Sequence, residues 1–189
     1  MDFSLDNRNS ITEVIEPGGY TPFSFLLPAE YKVPKNFRIL FVMPCSKEKP
    51  YSASFTHRLI HETIGGIQGL HKVTLSGLYG PVPQEFEEIS SAVTSYDYLL
   101  QPDNYRQIAL VSARLGRFLT LYGDQYDSWV GYATVEPYRS VIESSFLACG
   151  KGKVYPENLT ESSLEAFWDP VNLGSLKSAI SILPGVKSL

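Results

Sequence analysis

Apolar positions along this chain fall into two alternating kinds of pattern. The run "FRILFVM" (37–43) is almost continuously apolar and of strand length, as in a strand buried on both faces of a parallel sheet. Phe55, Leu59, Ile60 and Ile64 then recur at helical spacing between Ser54 and Ile64, and Gly65 and Gly66 end the pattern. "KVTLSG" (72–77) predicts a second strand, and helical spacing returns at Ile108, Val111, Leu115, Phe118, Leu119 and Tyr122. "SWVGYAT" (128–134) is strand-like, Pro137 suits the first turn of a helix reaching Ala148, and "KVYP" (153–156) is a short fourth strand. "LTESSLEAFW" and "NLGSLKSAISIL" predict two closing helices.

Strand and helix therefore alternate, which predicts an α/β fold: a three-layer sandwich around a mainly parallel central sheet. Crossovers in such sheets are right-handed and ligands bind outside the carboxyl ends of the strands, so the loops that follow strands are where chemistry is expected. Residues 1–36, rich in Pro, Gly and Asn with "TPFSFLL" as an edge-strand candidate, predict an N-terminal arm on a single domain spanning 37–189.

Composition narrows the class. A chain of 189 residues, 43% hydrophobic and 19% charged, has the length for one domain with a full core. Its net charge of -4 supplies no general attraction to phosphate, so contact with nucleic acid requires a local basic patch or a partner chain. Two cysteines, Cys45 and Cys149, make no disulfide framework and no C-x-x-C metal spacing. The polar N-terminus "MDFSLDNRNS" and the lack of any apolar run near the roughly 20 residues that span a bilayer predict a soluble, cytoplasmic protein with no membrane contact.

Two strand-following loops are chemically unusual. In "PCSKEKPYSASFTH", Pro44 ends the first strand, Cys45 stands at its carboxyl end, and Ser52 or Ser54 can cap the next helix, turning free N–H groups toward a bound anion. The alternative is a capped loop with solvated lysines. His57 and His61 share a helical face, but with no third ligand nearby they predict no metal site; His57 reads as a hydrogen-bonding group and His61 and His71 as surface or half-buried residues. In "LSGLYGPVPQEFEE", Gly77 and Gly80 allow close backbone approach, Pro81 and Pro83 stiffen the chain, and Glu85 and Glu87 follow, either as functional carboxylates or as acids at a helix start. "SYDYLL" adds Tyr96 and Asp97. No phosphate-loop, dinucleotide or serine-hydrolase signature occurs, and no cofactor is expected.

The string Pro44-Cys45, three residues, Lys49-Pro50-Tyr51, two residues, Ser54, two residues, His57 resembles at every fixed position the PC-x3-KPY-x2-S-x2-H motif of archaeosine synthase, the archaeal relative of tRNA-guanine transglycosylase. "SGLYGPVPQEFEE" and "SYDYLL" resemble that family's G-x-V-P-x-E-hydrophobic-E and Tyr-Asp segments, so the resemblance runs from Arg38 to Asp97. It implies an enzyme that adds the side-chain amine of free lysine to the nitrile of 7-cyano-7-deazaguanine (preQ0) at position 15 of tRNA. A radical S-adenosylmethionine enzyme then acts downstream.

Full-length members carry further domains, including a PUA domain for tRNA. The resemblance therefore implies a split or stand-alone core whose tRNA contacts come from a partner chain with a PUA domain. The implied catalytic set is Cys45, Lys49, His57, Glu85 and Asp97. The implied substrate-binding set is Pro44, Ser46, Tyr51, Ser54, Ser76, Gly80, Pro83 and Tyr96. Free lysine is an ammonium ion that must lose a proton before attack, to His57 or to a carboxylate such as Glu85 or Asp97. Alternatively Cys45 attacks the nitrile first and lysine displaces the thioimidate. The strand and loop order is also similar to uracil-DNA-glycosylase folds, and a non-catalytic subunit that binds tRNA or a partner is the competing expectation.

Overall fold

The computed structural model describes residues 31–87, 99–184 and 186. Five strands form one sheet: β1 (Ile39–Pro44), β2 (Leu70–Ser76), β3 (Gly80–Pro83), β4 (Ser128–Tyr132) and β5 (Lys153–Tyr155), in the order β3-β2-β1-β4-β5. β1 runs parallel to β2 and β4, β4 runs parallel to β5, and β3 runs antiparallel to β2. The described helices are α1 (Phe55–Ile64), α2 (Tyr105–Tyr122), α3 (Tyr138–Ala148) and α4 (Pro170–Ser181). The fold is α/β with a mixed, mostly parallel sheet.

β1 is central and every one of its residues is buried, as its unbroken apolar run requires. Its alternation divides two cores. Leu40 and Val42 join Val111 and Leu115 of α2 and Val141 and Ile142 of α3; Ile39, Phe41 and Met43 join Ile60 and Ile64 of α1 and Leu173 and Leu176 of α4. Each such side chain contributes about 1.5–3 kcal/mol by leaving water. Helix starts are capped by Ser54, Asn104 and Asp169, and Pro170 occupies the first turn of α4, where its missing N–H costs nothing.

The connection from β1 leads to β2 on one side, and the connection through α2 leads to β4 on the other. Loops after β1 and β4 thus part at the sheet's carboxyl edge, the position where open α/β sheets form a crevice.

Two stretches and one residue depart from the sequence expectation; the residue is His71, expected at the surface or half-buried, which is fully buried. "LSGLYGPVP" is a hairpin and not an open loop: β2 turns through Gly77–Tyr79 into β3. Ser76 Oγ accepts the N–H groups of Leu78 and Tyr79 at 3.2 and 3.0 Å, Gln107 donates to the Gly77 carbonyl at 2.7 Å, and the Arg114 guanidinium donates to that of Leu78. Gly80 has φ +81°, and a Cβ there would lie 2.8 Å from the Cβ of Arg114, so the hairpin needs glycine at this point.

"LTESSLEAFW" forms only a single 3-10 turn, Glu165–Phe167, in place of a helix. Ser162 donates to the Thr134 carbonyl, Ser163 accepts the Ala166 N–H, and Asp169 restarts the chain as a new helix. Of the expected arm only residues 31–36 fall within the described residues, and Val33 is buried there. Among the described residues no helix is long and apolar enough to cross a membrane.

Candidate functional site

The site is built where β1 ends. Pro44 closes the strand with its partner Leu75 across β2, and the Cys45 N–H continues the ladder to the Leu75 carbonyl at 3.0 Å. The turn that follows folds on itself. Ser46 Oγ accepts from the Glu48 N–H at 3.2 Å, its carbonyl takes the Lys49 ammonium, and that ammonium sits 4.3 Å from the centre of the Tyr51 ring. Ser54 then caps α1 by accepting the His57 N–H at 3.3 Å. Tyr51 is buried and its ring stacks on His57, with centroids 5.1 Å apart and planes 9° from parallel. Four of the motif's residues, Lys49, Tyr51, Ser54 and His57, thus meet in one compact turn.

His57 lies at its centre. Nε2 faces the Pro44 carbonyl at 3.3 Å and Nδ1 faces the Lys72 ammonium at 3.4 Å. An ammonium can only donate, so Nδ1 accepts and the ring proton resides on Nε2, where it donates to Pro44. Burial, then the Lys72 cation, push the imidazole down to about 3 against the opposing pull of the Pro44 bond. His57 is therefore neutral across the physiological range and occupied at both nitrogens. Its geometry suits holding the turn more than collecting a proton.

Lys72 is held in turn. Its ammonium pairs with Glu87 at 2.8 Å, and Glu87 also accepts from Thr74 Oγ1 at 2.5 Å. A chain of polar contacts thus runs Thr74, Glu87, Lys72, His57, Pro44 along the face of β2 that meets α1. Sequence reading gave Lys72 no role. The available signal was the alternation of Lys72, Thr74 and Ser76 in a strand whose other face, His71, Val73 and Leu75, is buried.

Cys45 looks the other way. It is buried, and its Sγ lies 3.1 Å from Tyr138 Oη at the start of α3. The Leu100 N–H donates to that phenol oxygen at 2.9 Å, and either the thiol or the phenol can be the donor between Cys45 and Tyr138. Tyr138 stands 93 positions from Cys45 and carried no local signal.

The remaining expected residues divide between the two ends of the sheet. Ser76 and Gly80 pair with one another near the carboxyl edge. Because β3 runs antiparallel, Pro83 returns to Val73 and Glu85 travels on toward the amino end of β2, away from Cys45. There Glu85 accepts from Tyr31 at 2.6 Å and meets His71 Nε2 at 2.9 Å, while His71 Nδ1 meets Tyr126 Oη at 2.6 Å. Burial acts to raise the Glu85 carboxyl, but the hydrogen bonds with His71 and Tyr31 outweigh it and hold the group below its usual range. Tyr96 and Asp97 lie outside the described residues. Among the described residues no three His, Cys, Asp or Glu side chains gather as metal ligands.

The family described as "Domain of unknown function (DUF5591)" matches residues 23–167. Over 59 residues the chain is 41% identical to the archaeosine synthase subunit alpha of Thermococcus kodakarensis, covering 29% of this chain and 10% of that protein. Over 132 residues it is 27% identical to the archaeosine synthase of Methanocaldococcus jannaschii, covering 66% of this chain and 22% of that protein. The match thus spans less than a quarter of either curated relative. The crystal structure of AF0587, a protein of unknown function, superposes with a TM-score of 0.55 at 21% identity, over 83% of this chain and 48% of that one, a likeness of fold alone.

Proposed function

The chain belongs to the DUF5591 family and to the archaeosine synthase family, and from that premise we propose that it acts in archaeosine modification of tRNA. The reaction proposed is addition of free lysine to the nitrile of preQ0 at position 15, by a split or stand-alone synthase core in the cytoplasm. The observation that carries this reading is the folded turn from Pro44 to His57, in which the motif residues converge at the carboxyl edge of the sheet.

The chemistry is an amine addition. The lysine nitrogen, once deprotonated, bonds to the nitrile carbon, and the nitrile nitrogen takes up a proton to give an amidine. In the covalent variant the Cys45 S–H adds across the C≡N bond to give a thioimidate, and lysine then displaces the thiol. Tyr138 Oη, 3.1 Å from Sγ, would position the sulfur in that variant. Lys49 supplies positive charge beside the turn. Asp97 stays in this proposal as the proton acceptor, since His57 is occupied at both nitrogens and Glu85 is engaged elsewhere.

The finer architecture proposed is a three-layer, uracil-DNA-glycosylase-like sandwich, supported by the two cores on opposite faces of β1. A partner chain with a PUA domain would supply tRNA contacts, as the net charge of -4 favours. A second reading is a non-catalytic subunit that binds tRNA or a partner, which a His57 bonded at both nitrogens would suit. Incubating the chain with preQ0-containing tRNA and radiolabelled lysine, with and without candidate partner chains, decides between them. Label transfer is expected only with the catalytic reading, and its failure with every partner would leave the subunit reading.

A further inference from the structure

Below the contact between His57 and Pro44, α1 and β2 leave a cavity of about 270 Å³. Phe41, Ile60 and Leu70 line its apolar wall, and His61, Lys72 and Gln84 its polar side. A second cavity of about 320 Å³ shares His57, His61 and Lys72 with the first and continues to Glu62. These volumes lie near the lower end for small-molecule sites, which suits a ligand of amino-acid size.

The donors in this space are not all matched. The Lys72 ammonium has three N–H groups, of which one meets Glu87 and one His57; among the described residues the third has no acceptor, and Lys72 lines both cavities. Gln84 accepts the Lys72 backbone N–H on its carbonyl oxygen at 3.2 Å, so what its amide has left to offer the cavity is its NH2. Two donor groups and an apolar wall call for a ligand with acceptor oxygens at one end and a hydrocarbon body, and the Glu62 carboxylate suits an amine.

We infer that this cavity binds an amino acid, with its carboxylate on Lys72 and Gln84 and its aliphatic body along Phe41, Ile60 and Leu70. The identity of that amino acid as free lysine rests on the proposed function; its chemical class rests on the cavity.

The test is calorimetric titration of the full chain with free lysine, 6-aminohexanoate and cadaverine. Free lysine and 6-aminohexanoate, which keep a carboxylate, are expected to bind, and cadaverine, which lacks one, at least about tenfold more weakly. Gln84→Ala should weaken the two carboxylates about threefold to tenfold, and Lys72→Met by tenfold or more. Because Lys72→Met strands the Glu87 carboxylate, the paired change Lys72→Met with Glu87→Met tests the same contact where the single variant does not fold.

Cadaverine binding as tightly as lysine, no carboxylate binding at millimolar concentration, or unchanged affinity in folded variants would overturn the site. Carboxylate-selective binding without label transfer to tRNA in any complex would sink the proposed function and leave the site standing. Label transfer undiminished in the folded variants would do the reverse.

Discussion

Two buried histidines occupy opposite settings in this domain. His57 meets a cation, Lys72, on Nδ1 and a neutral carbonyl on Nε2; His71 meets a phenol, Tyr126, on Nδ1 and an anion, Glu85, on Nε2. The first lies in the turn after β1. The second lies toward the amino end of β2, stacked on Phe37 with centroids 4.3 Å apart, and fastens residues 31–37, the hairpin and the approach to β4 together. The same imidazole therefore serves two purposes according to the charge beside it. Burial, with a cation beside it, holds one ring neutral as a fixed donor to a strand end, and an anion makes the other the middle of a clamp.

The contrast predicts activity to fall at one histidine and not at the other. His57→Ala and Lys49→Ala should each lower lysine-adduct formation by roughly 100-fold or more, as loss of a positioning or protonating group does, whereas His71→Gln should leave the rate of the folded protein within about twofold. Rates measured on the melted-and-checked variants decide it; an equal loss at His71 would erase the distinction. Ser54→Ala belongs with the first group, and because Ser54 is a buried cap it should also cost about 1 kcal/mol in stability.

Stability should separate the two carboxylates. Glu87 is only 7% exposed and neutralises Lys72, so Glu87→Gln is expected to cost about 3 kcal/mol in urea unfolding, as breaking a buried pair does. Glu85 is 31% exposed, and Glu85→Gln should cost about 1 kcal/mol. Reversal of that order would mean that the clamp, and not the Lys72 network, anchors the hairpin.

Acid provides a finer separation. Between an unfolded value of 6.5 and a folded value of about 3, the unfolded chain binds the His57 proton and the native chain does not. This contribution is complete above pH 6.5 and is lost as pH falls toward 3. Glu85, lowered from 4.5, contributes above that value and loses its contribution below it. Between pH 6.5 and 5 the melting temperature of the wild type should therefore fall more steeply than that of His57→Gln, while Glu85→Gln should run parallel to the wild type. The smallest effect is expected for Tyr31→Phe, about 0.5 kcal/mol for its bond to Glu85, with no change in adduct formation.

The elements that could be read in the sequence are those whose neighbours lie close along the chain. β1, α1 and α2 follow from periods of apolar residues, and the turn from Pro44 to His57 spans few enough positions for its spacing to carry the geometry. β3 was not legible, because Pro81 and Pro83 describe a stiff segment equally well in a loop or at a sheet edge; the pairing of Gly80 with Ser76 decides it. That single reversal sends Glu85 toward the amino end of β2, away from Cys45, with which the resemblance groups it. Tyr138 was hidden for the opposite reason, since only the order of strands brings the start of α3 beside β1. In "LTESSLEAFW" the helical period was present, but serine side chains that bond backbone groups competed with it.

The bond from His57 to the Pro44 carbonyl has a mechanical side. It ties the first turn of α1, which forms one wall of the cavity, to the residue immediately before Cys45. Any outward shift of α1 strains this bond and pulls on the peptide that carries the thiol. If filling the cavity moved α1, the strain would reach the sulfur through this bond, and by reciprocity a shift of the sulfur would change affinity at the cavity by the same factor.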